Sequence, residues 1–495
     1  MSILAIDAGT TGVTALAVDR HGQVVAHGYA EFAQYFPADG WVEHEPEQIW
    51  AATLEATAQV LAGLAGTDPP TAVGITNQRE TAVLWDRETL AAPRRAIVWQ
   101  DRRTAGLCAQ LRADGHEPLV VERTGLRLDP YFTGTKLRWI AMNEELTWRR
   151  VERGEVALGT VDSYLVARLS RGVHHLTDAS NASRTLLYDL RTGRWDDELC
   201  ALFHVPPDSL PEIVSSYGAV AHTDPTVFHG LQLPVAGIAG DQQAALFGQA
   251  CFAPGTGKCT YGTGSFVLVN TGSQPVTSQR GLLTTVAWQH PDGRREFALE
   301  GAVFVTGAAV QWLRDGLGII ATAAESETLA RSVSDSGGVV FVPALTGLGA
   351  PDWDPHARGT ILGLTRGTTR AHLARATLEA IGYEVRDVVD LMAGDAALLP
   401  ALTELAVDGG AAANDLLCEL QATALQTPVV RAAVLETTGL GAALLAGLGT
   451  GLWGSQDELA AVVGRDARFE PGPADTAGHR RWRAAVERAK GWAGP

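Results

Sequence analysis

The stretch that decides the fold reads Ser-Ile-Leu-Ala-Ile-Asp-Ala-Gly-Thr-Thr-Gly-Val-Thr-Ala-Leu-Ala-Val over residues 2–18. Its apolar ends, residues 2–6 and 13–18, predict two paired β-strands around a tip rich in glycine and threonine. An apolar segment near residues 24–26 extends the hairpin into a meander rather than a βαβ unit. The tip offers backbone N–H groups, two hydroxyls and the Asp7 carboxylate, which suit polyphosphate oxygens and a hydrated Mg²⁺. An ordinary tight turn has the same composition, so this stretch alone leaves both interpretations open.

A second hairpin repeats the pattern in the other half of the chain. Residues 259–270 predict a strand, a Gly-Thr-Gly-Ser tip and another strand, as in the first hairpin. Residues 405–407 then predict a strand that runs into a polar loop, as residues 72–76 do earlier. Two repeats in the same order predict one α/β fold used twice, with each domain a mixed sheet flanked by helices. The two hairpins would face each other across a cleft between the domains.

Length and composition are those of a two-domain globular protein. The 495 residues exceed the size of a single core, and we expect domains at 1–248 and 249–495. Hydrophobic residues make up 46% of the chain, and a net charge of −17 without charge runs argues against a nucleic-acid partner. Five scattered cysteines without a C-x-x-C pair indicate neither a disulfide framework nor a zinc site. Without a signal peptide or a long apolar run, we expect a cytoplasmic protein that is not inserted in a membrane.

A candidate catalytic acid lies near the middle of the chain. Residues 234–249 read as a short apolar strand that breaks at Gly240 and restarts as an amphipathic helix at Asp241. This predicts Asp241 as the N-cap, where its carboxylate accepts a hydrogen bond from the first turn. An acid at a strand-to-helix edge facing the cleft between two domains can also serve as a catalytic base. A plain N-cap is the simpler interpretation of this segment on its own.

Other segments combine polar and aromatic side chains. Arg79 and Glu80 follow the strand at 72–76, the usual ligand position of an α/β sheet, although a surface ion pair would look the same. Residues 97–103 and 129–136 place rings beside polar groups, a mixture that suits a small polar ligand. The run from 177 to 185 is too polar to be core, and we expect it to form the cleft wall. Residues 307–317 predict a helix carrying Gln311, and 343–359 a long Gly/Pro loop, which is typical of functional loops.

Taken together, these segments resemble the FGGY carbohydrate kinases of the actin-like ATPase superfamily. The resemblance extends from Asp7 to beyond Gly451, and Tyr-Gly-Thr-Gly at 261–264 is the least specific of its matches. The most specific matches are Gly-Ile-Thr-Asn-Gln-Arg-Glu at 74–80, Asp-Pro-Tyr-Phe at 129–132, Ser-Asn-Ala-Ser-Arg-Thr at 180–185 and Gly-Asp-Gln-Gln at 240–243. The resemblance implies two duplicated actin-like (ribonuclease H-like) domains. It also implies ATP-dependent phosphorylation of glycerol to sn-glycerol 3-phosphate, with Mg-ATP bound between the domains of a homodimer or homotetramer.

The resemblance also implies roles for individual residues. Asp241 would be the general base, and Asp7 would hold the Mg²⁺ shell. The glycerol site would comprise Arg79, Glu80, Trp99, Tyr131, Asp241, Gln242 and Phe266. The ATP site would comprise Thr10, Thr11, Gly12, Thr14 and Thr263 at the phosphates and Gly307, Gln311, Gly410 and Asn414 at the nucleoside.

Two segments depart from the family pattern. The first loop usually continues Ser-Ser-Arg after the two threonines, whereas residues 12–14 here read Gly-Val-Thr. A charged contact to phosphate contributes roughly 1.5–3 kcal/mol, so we expect nucleotide affinity about 10- to 100-fold weaker unless another cation substitutes. Relatives inhibited by fructose 1,6-bisphosphate carry Gly-Thr-Arg where residues 230–232 read Gly-Leu-Gln, which predicts insensitivity to that metabolite.

Two alternatives remain open at this stage. Within enzymes, the chain could phosphorylate another small polyol or a keto-sugar. In a different class, the actin-like fold serves chaperone ATPases and filament proteins, in which nucleotide binding drives a conformational change. Those proteins require neither the polyol cluster nor Asp241.

Overall fold

The N-terminal hairpin forms where the apolar segments predict it. In the computed structural model, β1 (Ser2–Ala8) pairs antiparallel with β2 (Gly12–Asp19), which pairs antiparallel with β3 (Val24–Glu31). The first two strands are apolar at consecutive positions because both of their faces are buried. The tip itself occupies residues 9–11.

The structure describes residues 1–66, 69–278, 280–395 and 402–494. The remaining strands of the first half are β4 (Gln34–Tyr35), β5 (Glu43–His44), β6 (Ala72–Asn77), β7 (Val83–Asp86), β8 (Ala96–Ile97), β9 (Val156–Gly159), β10 (Leu176–Asp178), β11 (Tyr188–Asp189), β12 (Arg194–Trp195), β13 (Glu212–Val214), β14 (Tyr217–His222) and β15 (Pro234–Gly240). The helices are α1 (Pro46–Gly63), α2 (Ala105–Ala113), α3 (Glu117–Thr124), α4 (Thr133–Asn143), α5 (Glu145–Glu152), α6 (Val161–Leu169), α7 (Ala179–Ala182), α8 (Asp197–Leu202) and α9 (Asp241–Gly248), with a 3₁₀ turn at Pro207–Ser209.

The second half has its own set of elements. Its strands are β16 (Gly257–Tyr261), β17 (Ser265–Gly272), β18 (Leu283–Gln289), β19 (Arg295–Val303), β20 (Val340–Val342), β21 (Thr360–Leu362), β22 (Leu405–Asp408), β23 (Val429–Ala432) and β24 (Arg465–Phe469). Its helices are α10 (Gly307–Gln311), α11 (Glu325–Arg331), α12 (Arg370–Asp395), α13 (Asp415–Leu425), α14 (Thr437–Gly449), α15 (Gln456–Val462) and α16 (Thr476–Ala489), with a π-helical turn at Trp312–Gly316 and a 3₁₀ turn at Gly410–Ala413.

The two main sheets share six strands in the same spatial arrangement, which confirms the duplication. The first has the order β14-β15-β6-β1-β2-β3, and the second, written from the matching edge, β24-β23-β22-β16-β17-β19-β18. In each, three antiparallel strands are followed by two parallel strands and an antiparallel edge strand, and the second sheet has β18 as an additional antiparallel strand at its other edge. β1 therefore corresponds to β16, β6 to β22 and β15 to β23. Each half also has its own buried core.

Helices α9 and α14 join the halves. Each follows the third parallel strand of its own sheet, and α14 packs on β1, β6 and β15 of the first half. The two helices approach so closely that a Cβ atom at Gly441 would lie 1.8 Å from the backbone oxygen of Ala244. Glycine is required there because any side chain would collide with the neighbouring backbone. The cleft is thus built on a close helix pair that draws residues from both halves.

Smaller features follow the sequence with one difference. The loop at 343–359 connects β20 to β21 as predicted, whereas the helix expected over 307–317 is α-helical only to Gln311 and continues as the π-helical turn. All five cysteines are free and buried. Among the described residues, no helix combines the length and the apolar character needed to cross a membrane.

Candidate active site

Asp241 lies where β15 meets α9, but it is not the cap of the helix. Gly240 takes the extended cap conformation and α9 begins at Asp241, so the N-cap prediction is wrong by one residue. Glycine accepts that conformation readily, which leaves Asp241 with helical geometry in the first turn, where an acid is still favoured. Its Oδ1 accepts a hydrogen bond from the Gln242 backbone N–H at 2.7 Å and lies 3.0 Å from the Arg79 Nε. The side chain keeps 29% of its surface exposed and is available to a ligand.

The Arg79 guanidinium connects most of the predicted glycerol site. It is 2% exposed, so the alternative of a surface ion pair is excluded. Besides Asp241, it donates to the Tyr131 hydroxyl at 3.3 Å and to the Gln243 amide oxygen at 3.2 Å. Two further bonds of 2.6 and 3.0 Å run to the carboxylate of Glu300. A bidentate pair of this kind fixes the plane of the guanidinium as well as its position.

Glu300 is a site residue that the sequence analysis missed. It belongs to β19 in the second half of the chain, has no exposed surface, and also accepts a bond of 3.0 Å from Arg184. Burial alone would raise the pKa of Glu300, but the Arg184 and Arg79 guanidiniums outweigh it and lower the pKa to about 2. The available signal was an acid inside the otherwise apolar segment at 297–303, since an ionised side chain is almost never fully buried unless it is paired.

Glu80 completes the buried ion-pair network. Its carboxylate accepts a bond of 2.7 Å from the Arg184 Nε and lies 3.8 Å from the Arg79 Nε. Burial raises the pKa of Glu80, against the effect of both arginines. The residue also has a left-handed backbone conformation with φ of 62°. Strain of this kind persists only where surrounding contacts hold it, and it is frequent at functional sites.

The polar run at 177–185 is buried, contrary to the prediction that it is too polar for the interior. All nine residues are at most 5% exposed. They are tolerated because they satisfy one another: Asp178 caps α7 by accepting bonds from the N–H groups of Ser180 and Asn181. The Ser180 hydroxyl accepts a bond from the Gly240 N–H at 2.9 Å, and Asn181 forms a double amide pair with Asn77. The run thus forms hydrogen bonds to the ends of β15 and β6 in the interior and does not line the cleft wall.

The three predicted rings lie around the arginine. Trp99 and Tyr131 meet edge to face with their centroids 5.7 Å apart. The Phe266 ring lies 6.0 Å from the Arg79 Cζ. Trp99 also donates from its indole nitrogen to the Thr10 hydroxyl at 3.0 Å, so the polyol region is continuous with the first hairpin tip.

Gln78 forms hydrogen bonds to the backbone where the first hairpin tip begins. Its backbone N–H donates to the Ala8 oxygen and its amide to the Gly9 oxygen, both at 2.8 Å. Thr11 is exposed at the tip, whereas the Gly12 backbone passes so close to Tyr29 that a Cβ atom would lie 2.8 Å from its ring. Thr14 lies on β2 directly opposite Asp7 in the strand register.

The second tip borders the residues expected at the nucleoside. The N–H groups of Thr306 and Gly307 donate to the oxygens of Thr263 and Gly262 at 2.8 and 3.0 Å, which fixes the start of α10 against the tip. Gln311 on α10 is exposed, and its side chain forms no hydrogen bond within the described part of the chain.

Gly410 and Asn414 lie on the other side of this tip. Gly410 begins a turn behind the tip, and a Cβ atom there would meet nothing within 4 Å. The Asn414 side chain caps α13 by accepting a bond from the Leu417 N–H at 2.9 Å, so it already has a structural role.

Asp7 and Asp241 form a pair of neighbouring acids. Burial, and to a lesser degree the charge of Asp241, raise the pKa of Asp7 to about 7. No cluster of three or more His, Cys, Asp or Glu ligands exists in the described ranges. This fits Mg²⁺, which is usually bound by one or two carboxylates and otherwise keeps water and substrate phosphate as ligands.

Comparison with solved structures defines the class of protein. The fold matches a crystal structure of Plasmodium falciparum glycerol kinase with ADP, with a TM-score of 0.91, 33% identity, and coverage of 99% of this chain and 98% of that one. The duplicated mixed sheets are therefore the two actin-like domains of a sugar-kinase fold, as expected.

Family models and curated relatives define the family. The N-terminal domain of the FGGY family of carbohydrate kinases matches residues 2–248, and its C-terminal domain matches residues 257–450. A glycerol kinase of Aromatoleum aromaticum is 54% identical and covers 99% of both chains, and one of Bordetella parapertussis is 52% identical and covers 100% of this chain and 98% of that one. The chain belongs to the FGGY family of carbohydrate kinases, and it is a kinase.

Proposed function

We propose that this kinase transfers the γ-phosphoryl group of ATP to glycerol and forms sn-glycerol 3-phosphate. The observation that carries the proposal is the Asp241 carboxylate, which is accessible, lies 3.0 Å from the Arg79 Nε and raises the pKa of Asp7 beside the first hairpin tip. A base, a polyol-binding arginine and a phosphate-binding tip thus meet at one place. The names of the full-length relatives agree with this function.

Asp241 acts as the general base. Its Oδ atoms accept the proton of the attacking primary hydroxyl as the oxygen–phosphorus bond forms and the bond to ADP breaks. Burial raises the pKa of Asp241, and the Arg79 guanidinium opposes this shift. The net shift is upward, which makes the carboxylate of Asp241 a stronger base than that of an ordinary aspartate.

The polyol site recognises three hydroxyls and a short carbon chain. Arg79, Tyr131 and Gln242 supply hydrogen bonds, and the Glu80 carboxylate accepts them, while Trp99 and Phe266 cover the carbons. Because a missing hydroxyl leaves a buried group unpaired, deoxy analogues lose roughly 1–3 kcal/mol per group.

The nucleotide occupies the two hairpin tips. Thr10, Thr11, Gly12, Thr14 and Thr263 bind phosphate oxygens, and Gly307, Gln311, Gly410 and Asn414 line the nucleoside end. Asp7 would hold a hydrated Mg²⁺ ion, which would neutralise charge on the phosphates. The carboxylate of Asp7 stays partly accessible in the cleft, as such a contact requires.

The wider organisation follows from the same proposal. Domain 1–248 carries the polyol site and the first tip. Domain 249–495 carries the second tip and the nucleoside site. The enzyme works in the cytoplasm as a homodimer or homotetramer.

Transfer of labelled γ-phosphate to glycerol tests the function. We expect Asp241→Asn to lower kcat by about 10²- to 10⁴-fold, the usual contribution of a general base, while ADP affinity changes less than about threefold. The wild-type protein and the Asp241→Asn variant are both assayed with glycerol, dihydroxyacetone, erythritol and xylulose. An equal rate with a four- or five-carbon acceptor, or an active Asn variant, would contradict the proposal.

A further inference from the structure

Lys258 is a buried cation beside the polyol site, and none of the roles described above uses it. It lies on β16 on the face that packs against α9, and its side chain has no exposed surface. Its Nζ donates to the amide oxygen of Gln242 and to the Thr260 hydroxyl, the latter at 2.8 Å. A buried ammonium is costly, so its contact with a predicted substrate-binding side chain requires an explanation.

The contact determines which way the Gln242 amide faces. An ammonium carries three donors and no acceptor, so the amide atom that it meets must be the oxygen. The amide nitrogen is then turned away from Lys258 and makes no hydrogen bond to any described residue. The amide nitrogen itself is not fully buried, although the residue as a whole is only 8% exposed. Gln242 therefore presents two free N–H donors at the rim of the site, next to Asp241.

Neighbouring carboxylates oppose the loss of charge on Lys258. Burial lowers the pKa of Lys258, whereas the carboxylates of Asp408 and Asp241 favour its charged form. Asp408 is 1% exposed and belongs to the adjacent parallel strand β22. The cation is therefore held between a structural acid on one side and the site on the other.

We propose that Lys258 is a positioning residue that fixes the Gln242 amide as a pure hydrogen-bond donor toward a hydroxyl oxygen of the polyol. The inference rests on the proposed function. A polyol hydroxyl that accepts a hydrogen bond from Gln242 can donate its own proton to an acidic side chain of the site. Donor and acceptor are then fixed in both hydrogen bonds. Without the cation, the amide can turn over and offer its oxygen, which suits the hydroxyl less well.

Steady-state kinetics of Lys258→Met, Gln242→Ala and the double variant test this role. We expect Lys258→Met to raise KM for glycerol about tenfold, with KM for ATP and kcat each within about threefold, because the donor binds substrate and transition state alike. In the Gln242→Ala background the same substitution should change KM for glycerol less than about twofold. This non-additivity is the readout that a merely structural lysine would not produce.

A charge-matched variant protects the test against loss of folding. Removing only the cation leaves Asp408 buried without its partner, so Lys258→Met/Asp408→Asn is measured in parallel, with melting temperature and ADP affinity as checks of the fold. Equal effects of the lysine substitution with and without Gln242, or an unchanged KM for glycerol in both lysine variants, would overturn the inference. A wild-type protein without activity toward glycerol would instead refute the proposed function, so the two failures are distinguishable.

Discussion

In the first half of the molecule Asp7 on β1 lies beside Thr76 on β6, whereas in the second half Thr260 on β16 lies beside Asp408 on β22. The acid and the hydroxyl have exchanged strands at equivalent positions of the same sheet. The two helices that begin at the next parallel strand differ as well, because α9 starts with Asp241 and α14 with Thr437.

The surroundings of these acids differ in charge. Burial, and to a lesser degree the charge of the second acid Asp241, raises the pKa of Asp7 to about 7. Burial raises the pKa of Asp408 as well, but here the nearby Lys258 amine and a hydrogen bond from the Thr437 hydroxyl oppose the shift. On the proposed function, the acid at this position serves chemistry in the first half and structure in the second. A shared topology does not imply a shared role, since the partner of each charge determines what it can do.

The largest effect is expected where the two halves hold each other. Glu300→Gln leaves Arg79 and Arg184 without the carboxylate that both of them contact, and breaking a buried pair typically costs about 3–5 kcal/mol. Urea unfolding at pH 7 measures the loss. The matched control is Glu419→Gln, which removes an exposed ion pair with Arg331 and should change stability by less than about 1 kcal/mol.

The same variant has a defined pH dependence. The folded-state pKa of Glu300 is about 2, below the ordinary value of 4.5, so its contribution is fully present above about pH 4.5 and is lost as the pH falls toward 2. The stability of wild type and variant should therefore converge on acidification. A constant difference from pH 7 to 3 would show that the charge of Glu300 is not what stabilises the network.

An intermediate effect is expected from neutralising the two exchanged acids one at a time. Asp7→Asn should lower activity about 10- to 100-fold and raise the Mg²⁺ concentration needed for half-maximal rate, because the ion loses an anchor of its shell. Asp408→Asn should leave kcat within about threefold, since its partner Lys258 is expected to affect KM for glycerol and not kcat. Equal losses of activity in the two variants would contradict the inferred difference in function between the two acids.

The smallest effect is expected from restoring an arginine to the first tip. Thr14→Arg should strengthen ADP binding about tenfold, the lower end of the range for a charged contact to phosphate. The gain is limited because Thr14 lies opposite Asp7, which would compete for the new guanidinium. Calorimetric titration with ADP measures it, with Thr14→Gln as a neutral control of similar length. No gain in affinity would mean that another group already fills this place.

Much of the fold was readable from local sequence. The apolar segments at 2–6 and 13–18, the Gly/Thr tips and the strand at 405–407 all form as predicted, because strand periodicity and turn chemistry are encoded within a few residues. The duplication could be inferred from their order alone. The boundaries of helices were predicted less accurately, as the cap of α9 and the end of α10 show.

The site depended on the sequence and the tertiary structure in different ways. The sequence alone singled out Asp241, Arg79 and the Gly/Thr tips as candidates, since each stands in a short motif whose residue types suit the proposed chemistry. Only the folded chain showed that Glu300 closes the arginine network, that the run at 177–185 is buried, and that Lys258 reaches Gln242. These contacts join residues from different strands and, for Glu300, from different halves of the chain. The free energy of a buried charge depends on which partners the packing brings within reach, and no local pattern records that.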